Sequence, residues 1–181
     1  MKTLPAILIL AIGLPPSLAQ EKPAAERSIC PMHLGNASLA KDSRQEGVVT
    51  RGDEIMGFSH EKTTHHFRLY ADGGSIEVEA NQAGDAASRD QIRSHLGHIA
   101  ALFAAGNFQA PMLIHAQNPP GAEAMKRLRD RIQYQLGTTP QGARIRITTK
   151  DPEALRAVHE FLRFQISDHQ TRDSLDVTKL P

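Results

Sequence analysis

The stretch that most constrains the fold is "HHFRLYADGGSIEVEA", residues 65–80. Apolar and polar residues alternate on both sides of "ADGGS", which supplies the Asp-Gly and Gly-Gly chemistry of a tight turn. Consecutive residues of a strand face opposite ways, so His65 shares a face with Phe67 and Leu69 while His66 lies on the other. The stretch therefore predicts a β-hairpin with one face in the core.

A second hairpin is predicted from "IQYQLG" and "ARIRITT", which alternate in the same way around the turn "TTPQG". Each hairpin precedes a helical pattern. Ser88 is placed to cap a helix over 89–105, and Asp151 to cap one over 152–166 with Pro152 at its first position. Between the units lie a short apolar stretch, "FQAPMLIHAQNPPG", and a short helix, "GAEAMKRLRDRI". We expect an α+β domain over 56–169, built from tandem ββα–ββα units as an antiparallel sheet with helices on one face.

The two ends of the chain differ from this domain. Residues 1–19 have the parts of a secretory signal peptide, with Lys2, an apolar run too short to span a bilayer, and small residues Ser17 and Ala19 before the cleavage point. Export to the periplasm or outside the cell is expected. Residues 20–55 mix charges with Pro, Gly and Ser without an apolar period, which predicts a flexible N-terminal arm. Residues 170–181 are expected to form a polar tail.

Charge and cysteine content exclude several classes of function. Signal cleavage removes one of the 21 basic side chains and none of the 20 acidic ones, leaving no net charge. Nucleic-acid binding driven by a basic excess is therefore not expected. No second apolar segment suits stable membrane insertion, and the single cysteine, Cys30, excludes an internal disulfide. The motifs of common hydrolases and nucleotide-binding proteins are absent, so an enzyme is the less favoured class.

The segment "MGFSHEKTTHHF", residues 56–67, begins like a zinc-protease motif. That motif needs two histidines four residues apart on a helix, whereas His60 and His65 are five apart and the second opens a strand. Met56, His60 and one of the paired histidines remain as metal ligands, and His66, opposite the core face, is the first choice. Thioether and imidazole groups together select copper, Cu(I) especially.

Two further segments carry ligands of the same kind. "PMLIH" places Met112 and His115 three residues apart, and we add them to Met56, His60 and His66 as first-choice copper ligands. This site requires segment 111–115 to lie near the loop of residues 56–66. "CPMH" packs soft ligands into four residues, which predicts a secondary or transfer site at Cys30, Met32 and His33. Histidines inside the apolar helical stripes, His95 and His159, are expected to be core residues.

The segment "CPMH" resembles the heavy-metal-binding segment of copper-efflux ATPases and efflux adaptors, with Leu34 in place of their final Pro. Across residues 54–169, "MGFSHEKTTHHFRL", "APMLIH" and "VHEFLRFQI" resemble a family of small exported bacterial proteins, some associated with copper handling. The resemblance implies a periplasmic copper-binding protein for sequestration, delivery or tolerance, with a copper-trafficking protein as partner. Two alternatives stay open: a haem-binding protein or enzyme that uses His65 or His66 with His115, and a non-metal interaction module.

Overall fold

The structure, a computed structural model, describes residues 31–179, with side chains from residue 43 onward. The signal peptide predicted over 1–19 and the ligand Cys30 lie outside the described residues. The elements in chain order are α1 (Pro31–Met56), β1 (Thr63–Tyr70), β2 (Gly73–Ala80), α2 (Ala86–Ala104), α3 (Gln109–His115), α4 (Ala122–Arg127), a 3-10 turn (Arg129–Arg131), β3 (Ile132–Thr138), β4 (Gly142–Thr149), α5 (Pro152–His169) and β5 (Val177–Thr178).

The strands form one five-stranded sheet in the order β3-β4-β2-β1-β5. Both predicted hairpins are present, and the antiparallel pairing of β2 with β4 joins them. Only β5 runs parallel to its neighbour, β1. A mixed α+β fold with a mostly antiparallel sheet is thereby confirmed. Each hairpin is followed by a helix, α2 after the first and α5 after the second.

The core lies between one face of the sheet and the helices. Ile145 and Ile147 of β4 are fully buried on this face, and burial of such a side chain contributes about 1.5–3 kcal/mol. Helices α2 and α5 cover the same face side by side, since the rings of Phe103 and Phe161 meet at 5.8 Å between centroids. The opposite face is polar: Glu77 lies between Arg68 at 3.2 Å and Arg144 at 2.6 Å.

An aspartate caps the N-terminus of each of the helices α2 and α5. Asp151 caps α5 as predicted, accepting hydrogen bonds from the backbone N–H groups of Glu153 and Ala154. The predicted cap of α2 is wrong by one turn. Asp85 caps that helix, and its carboxylate accepts from both the backbone N–H and the hydroxyl of Ser88. An aspartate carboxylate is a stronger acceptor for these N–H groups than the serine hydroxyl, so the helix begins earlier.

Residues 31–56 form the long helix α1, where the sequence predicts a flexible arm. Few of the side chains described in it, those from residue 43 onward, are buried, Val48 among them. The sequence of the helix accordingly shows no apolar period. Polar contacts hold it instead. Arg51 Nε donates to the carbonyls of Leu113 and Ile114, and Arg44 pairs with Asp168 at 2.8 Å. The predicted domain boundary at residue 55 is therefore not a boundary in the structure.

The C-terminal segment also differs from the predicted polar tail. Asp173 accepts a hydrogen bond from the Phe67 backbone N–H at 2.9 Å, and its other oxygen meets His66 Nδ1 at 2.9 Å. The Thr178 hydroxyl donates to the Leu69 carbonyl, where β5 lies beside β1. Side-chain contacts to a strand backbone hold this segment, and such contacts leave no hydrophobic pattern in a sequence.

Gly121, which precedes α4, is required by the close approach of α4 to α5. Its φ is +81°, and a Cβ placed there would lie 2.1 Å from the carbonyl oxygen of Ala157. We expect Gly121→Ala to lower the free energy of unfolding by roughly 3 kcal/mol, through backbone strain and overpacking. Gly84→Ala is the matched control: no atom lies within 4 Å of its Cβ position, so its effect should stay within about 0.5 kcal/mol. Urea unfolding of both variants measures the difference, and equal stabilities would contradict the packing described for α4.

Candidate metal centre

Three helices end at one place in the structure. Each of α1, α3 and α5 is followed by a residue with left-handed backbone, a common way for a helix to end: Gly57, Ala116 and Gln170. The last helical residues all line the same cavity: Met56, His115 and His169. The helix ends, rather than one continuous motif, therefore assemble the candidate site.

The cavity has a volume of about 60 Å³. His65 from β1 and His95 from α2 also line it, and most of the remaining wall is aliphatic or aromatic. A space of this size holds an ion or one or two water molecules. We call His65, His95, His115 and His169 the histidine cluster.

Three rings of the cluster are connected by direct contacts through His169, and the fourth, His95, is connected to them through Phe58. His65 and His169 lie nearly parallel, with an interplanar angle of 8° and 5.6 Å between centroids. His115 meets His169 edge to face at 4.9 Å. Phe58 packs against both His65 and His95, at 6.1 and 5.5 Å. The pair of His65 and His169 is thus held between aromatic neighbours on both sides.

Partial burial lowers the pKa of three of these imidazoles, those of His65, His95 and His169, and so keeps them neutral. Desolvation, with a smaller effect from neighbouring histidines, lowers the pKa of His65 to about 4 and the pKa of His95 to about 4. The same two causes hold the pKa of His169 well below 6.5. A neutral imidazole has a free lone pair, which is the form that binds a metal ion.

Three members of the cluster have no hydrogen-bond partner within the described part of the chain: His65, His95 and His169. His159 provides the contrast. Its Nε2 meets the carbonyls of Tyr70 at 2.9 Å and Gly73 at 3.0 Å, which makes it the core histidine that the sequence predicts. These three histidines are half-buried, and no other group of the described chain engages their ring nitrogens. Their lone pairs are therefore not committed to a hydrogen bond within the protein.

His115 is held by the protein on both sides of its ring. Nδ1 lies 2.6 Å from an Asp168 oxygen, and Nε2 lies 3.0 Å from Gln165 Oε1. Asp168 also accepts from Arg44 of α1, so one carboxylate ties α1, α3 and α5 together. With both nitrogens in use, His115 orients its neighbour His169 rather than offering a free lone pair.

The remaining first-choice ligands are dispersed. His60 is exposed, pairs with Asp53 at 3.0 Å, and lines a second cavity of about 230 Å³. Met112 is 42% exposed and borders a different depression. His66 pairs with Asp173 on the face of the sheet opposite the core. Of the predicted ligands, Met56 and His115 line the first cavity and Met56 and His60 line the second, whereas His66 and Met112 line neither.

The secondary ligands Met32 and His33 belong to the first turns of α1, and their side chains lie outside the described set. Met56 ends the same helix. At 1.5 Å per residue the two ends are roughly 35 Å apart. An ion bound near Met32 and His33 is therefore at a separate site from one bound at Met56.

The sequence prediction misses His169, because the helix predicted over 152–166 ends before it. The signal was present in the spacing. His169 follows Ile166 by three residues and Leu162 by seven, which continues the buried stripe of α5. His65 is predicted to lie on the core side, and it is kept as a ligand of the haem alternative rather than as a first-choice copper ligand.

Comparison of the chain with protein-family models, with curated proteins and with solved structures gives no match. Between residues 31 and 179 no helix combines the length and apolar character needed to cross a membrane. Among the side chains that the structure describes, from residue 43 onward, no three of His, Cys, Asp or Glu are grouped to hold a metal ion.

Proposed function

We propose that the protein binds Cu(I) at Met56, His65 and His169, and that it sequesters or delivers copper or confers tolerance to it. The observation that supports this most is the pair of parallel imidazoles of His65 and His169. Both are neutral, have no hydrogen-bond partner in the described residues, and share a small cavity with Met56.

Donor type favours copper over zinc. Imidazole nitrogen with thioether sulfur is a borderline-to-soft set, and thioethers select Cu(I). Structural zinc takes four ligands in a tetrahedron, commonly cysteine and histidine. Cu(I) is stable with two or three ligands, which suits two histidines and one methionine.

The electrostatics of the helix ends favour a cation. The C-terminus of a helix carries a partial negative charge, which stabilises positive charge placed within its last turn. Met56 ends the 26-residue α1, and His169 ends the 18-residue α5. A Cu(I) ion between them would lie at both negative ends while contacting only neutral side chains.

The second cavity offers a path to this site. It is also lined by Met56, His65 and His169, and exposed His60 lies on its wall. We propose that His60 is the outer contact for copper and that the ion passes inward to the pair of histidines. The segment Cys30, Met32 and His33 remains a proposed transfer site at the far end of α1.

The partly enclosed position of the site would protect bound Cu(I) from oxidation in an exported protein. If the signal proposed for residues 1–19 is used, the protein works where oxidants are available, and Cu(I) there needs shielding from them. The haem alternative is disfavoured by volume, since the cavities of about 60 and 230 Å³ fall below the 300–1,000 Å³ typical of organic ligand sites.

Competition against a chromophoric Cu(I) chelator, under reductant and without other metals, tests the proposal on residues 20–181. We expect one Cu(I) per chain. Met56→Leu should weaken Cu(I) affinity at least about 10-fold, because it replaces the sulfur with an apolar group of similar size. Met112→Leu is the matched control and should not change it, since Met112 is exposed at another place.

Three results would overturn the copper assignment. One is a tighter complex with Zn²⁺ than with Cu(I). Another is equal Cu(I) affinity of the Met56→Leu variant and the parent protein. The third is the absence of Cu(I) binding together with a Soret band on addition of haem, which would favour the haem alternative.

A further inference from the structure

The two edges of the sheet are protected to very different degrees. On one side β5 has only two residues, and such a short strand offers little backbone for pairing. On the other side β3 has seven residues, "IQYQLGT", without a charge or a proline. Five of them are exposed, Gln133 and the run 135–138. The outer row of β3 backbone groups is therefore open to a further strand.

We infer that β3 pairs with β3 of a second copy of this chain, antiparallel about a two-fold axis at Gln135. The pairing would join two five-stranded sheets into one of ten strands. A two-fold contact of this kind uses the same surface on both copies, so the strand must be complementary to itself.

The proposed register makes β3 self-complementary. Gln135 lies opposite Gln135 of the second copy, where the two amides can exchange hydrogen bonds. Tyr134 lies opposite Leu136 of the second copy, and the symmetry repeats this aromatic–aliphatic pair, a type that stabilises antiparallel strands. Leu136 is 43% exposed and lies beside Gly97 of α2, so the pairing would cover apolar surface that the single chain leaves open.

Charge allows the association. The strand has no ionisable group other than the Tyr134 hydroxyl, and the chain without residues 1–19 has no net charge at neutral pH. Two copies therefore meet without long-range repulsion. Strands β4 and β2 separate β3 from the His65 side of the sheet, so this inference is independent of the copper proposal.

Disulfide trapping tests both the contact and its register. In a Cys30→Ser background, Gln135→Cys should form a disulfide-linked dimer with a mild organic oxidant, because residues opposite each other are about 5 Å apart. Gln133→Cys is the matched control. In the proposed register its two copies are four residues apart along the strands, roughly 13 Å, which is beyond disulfide reach. Mixing Gln133→Cys with Gly137→Cys should restore the cross-link, since these positions face each other.

Light scattering provides a second readout on the unmodified protein. We expect a dimer in the parent chain and a monomer in Leu136→Lys, with circular dichroism used to verify that the variant is folded. The inference would be overturned if the parent protein is a monomer and the Gln135→Cys variant forms no cross-link. So would equal cross-linking at residues 133 and 135, because that indicates random collision rather than a fixed register.

Discussion

Replacement of both His65 and His169 by Ala is expected to weaken Cu(I) binding at least about 100-fold. Loss of groups that only support a metal ligand typically costs 10- to 100-fold, and here two proposed ligands are lost. His98→Ala is the matched control, because His98 is an exposed histidine on α2. Its Cu(I) affinity should equal that of the parent protein. Competition with a chromophoric chelator measures all three proteins under the same conditions.

Replacement of a histidine with a purely structural role should change stability and leave Cu(I) affinity unchanged, and His159 is such a residue. His159→Ala removes the donor that meets the carbonyls of Tyr70 and Gly73, so it should lower stability by about 1–3 kcal/mol and leave Cu(I) affinity unchanged. The His65 and His169 variant should instead lose affinity while its metal-free form still unfolds cooperatively. Unchanged Cu(I) affinity in a folded double variant would contradict the proposed ligands.

Local patterns in the sequence were sufficient for the two hairpins but not for β5. The alternation around "ADGGS" and "TTPQG" predicts both hairpins and places His65 inward and His66 outward, as the structure has them. These patterns work because successive side chains of a strand point to opposite faces of the sheet, so burial on one face is visible in the sequence alone.

The candidate site depends on packing that no single segment contains. Met112 and His115 share the short helix α3, yet one is exposed and the other buried. Which of the two side chains is buried depends on how α3 packs against α1. Helix α1 itself is held by Arg44 and Arg51 rather than by an apolar stripe. The three helix ends meet only through tertiary packing, which no local sequence pattern encodes. The contact between His65 and His169 could therefore not be predicted from the sequence.

Acidification from pH 6.5 to pH 4 is expected to destabilise the metal-free protein strongly. Histidines in the unfolded chain titrate near 6.5, whereas burial holds the pKa values of His65 and His95 near 4. Between these values the unfolded chain binds more protons, so stability rises with pH. The contribution is complete above pH 6.5 and is lost as the pH falls towards 4. Each histidine accounts for about 3 kcal/mol, and small domains have only 5–15 kcal/mol in total.

Urea unfolding in a chelator at several pH values between 7 and 4 measures this loss. The carboxyls with lowered pKa values, Asp85, Asp151 and Asp173, titrate below 3.8 and so contribute outside this window. The double variant His65→Phe and His95→Phe keeps aromatic rings beside Phe58 and removes two of the three histidines with lowered pKa values, leaving His169. That double variant should show a flatter pH dependence than the parent protein, whereas His98→Ala should retain the parent's slope. Equal slopes in all three proteins would mean that the buried histidines are not the groups that acid protonates on unfolding.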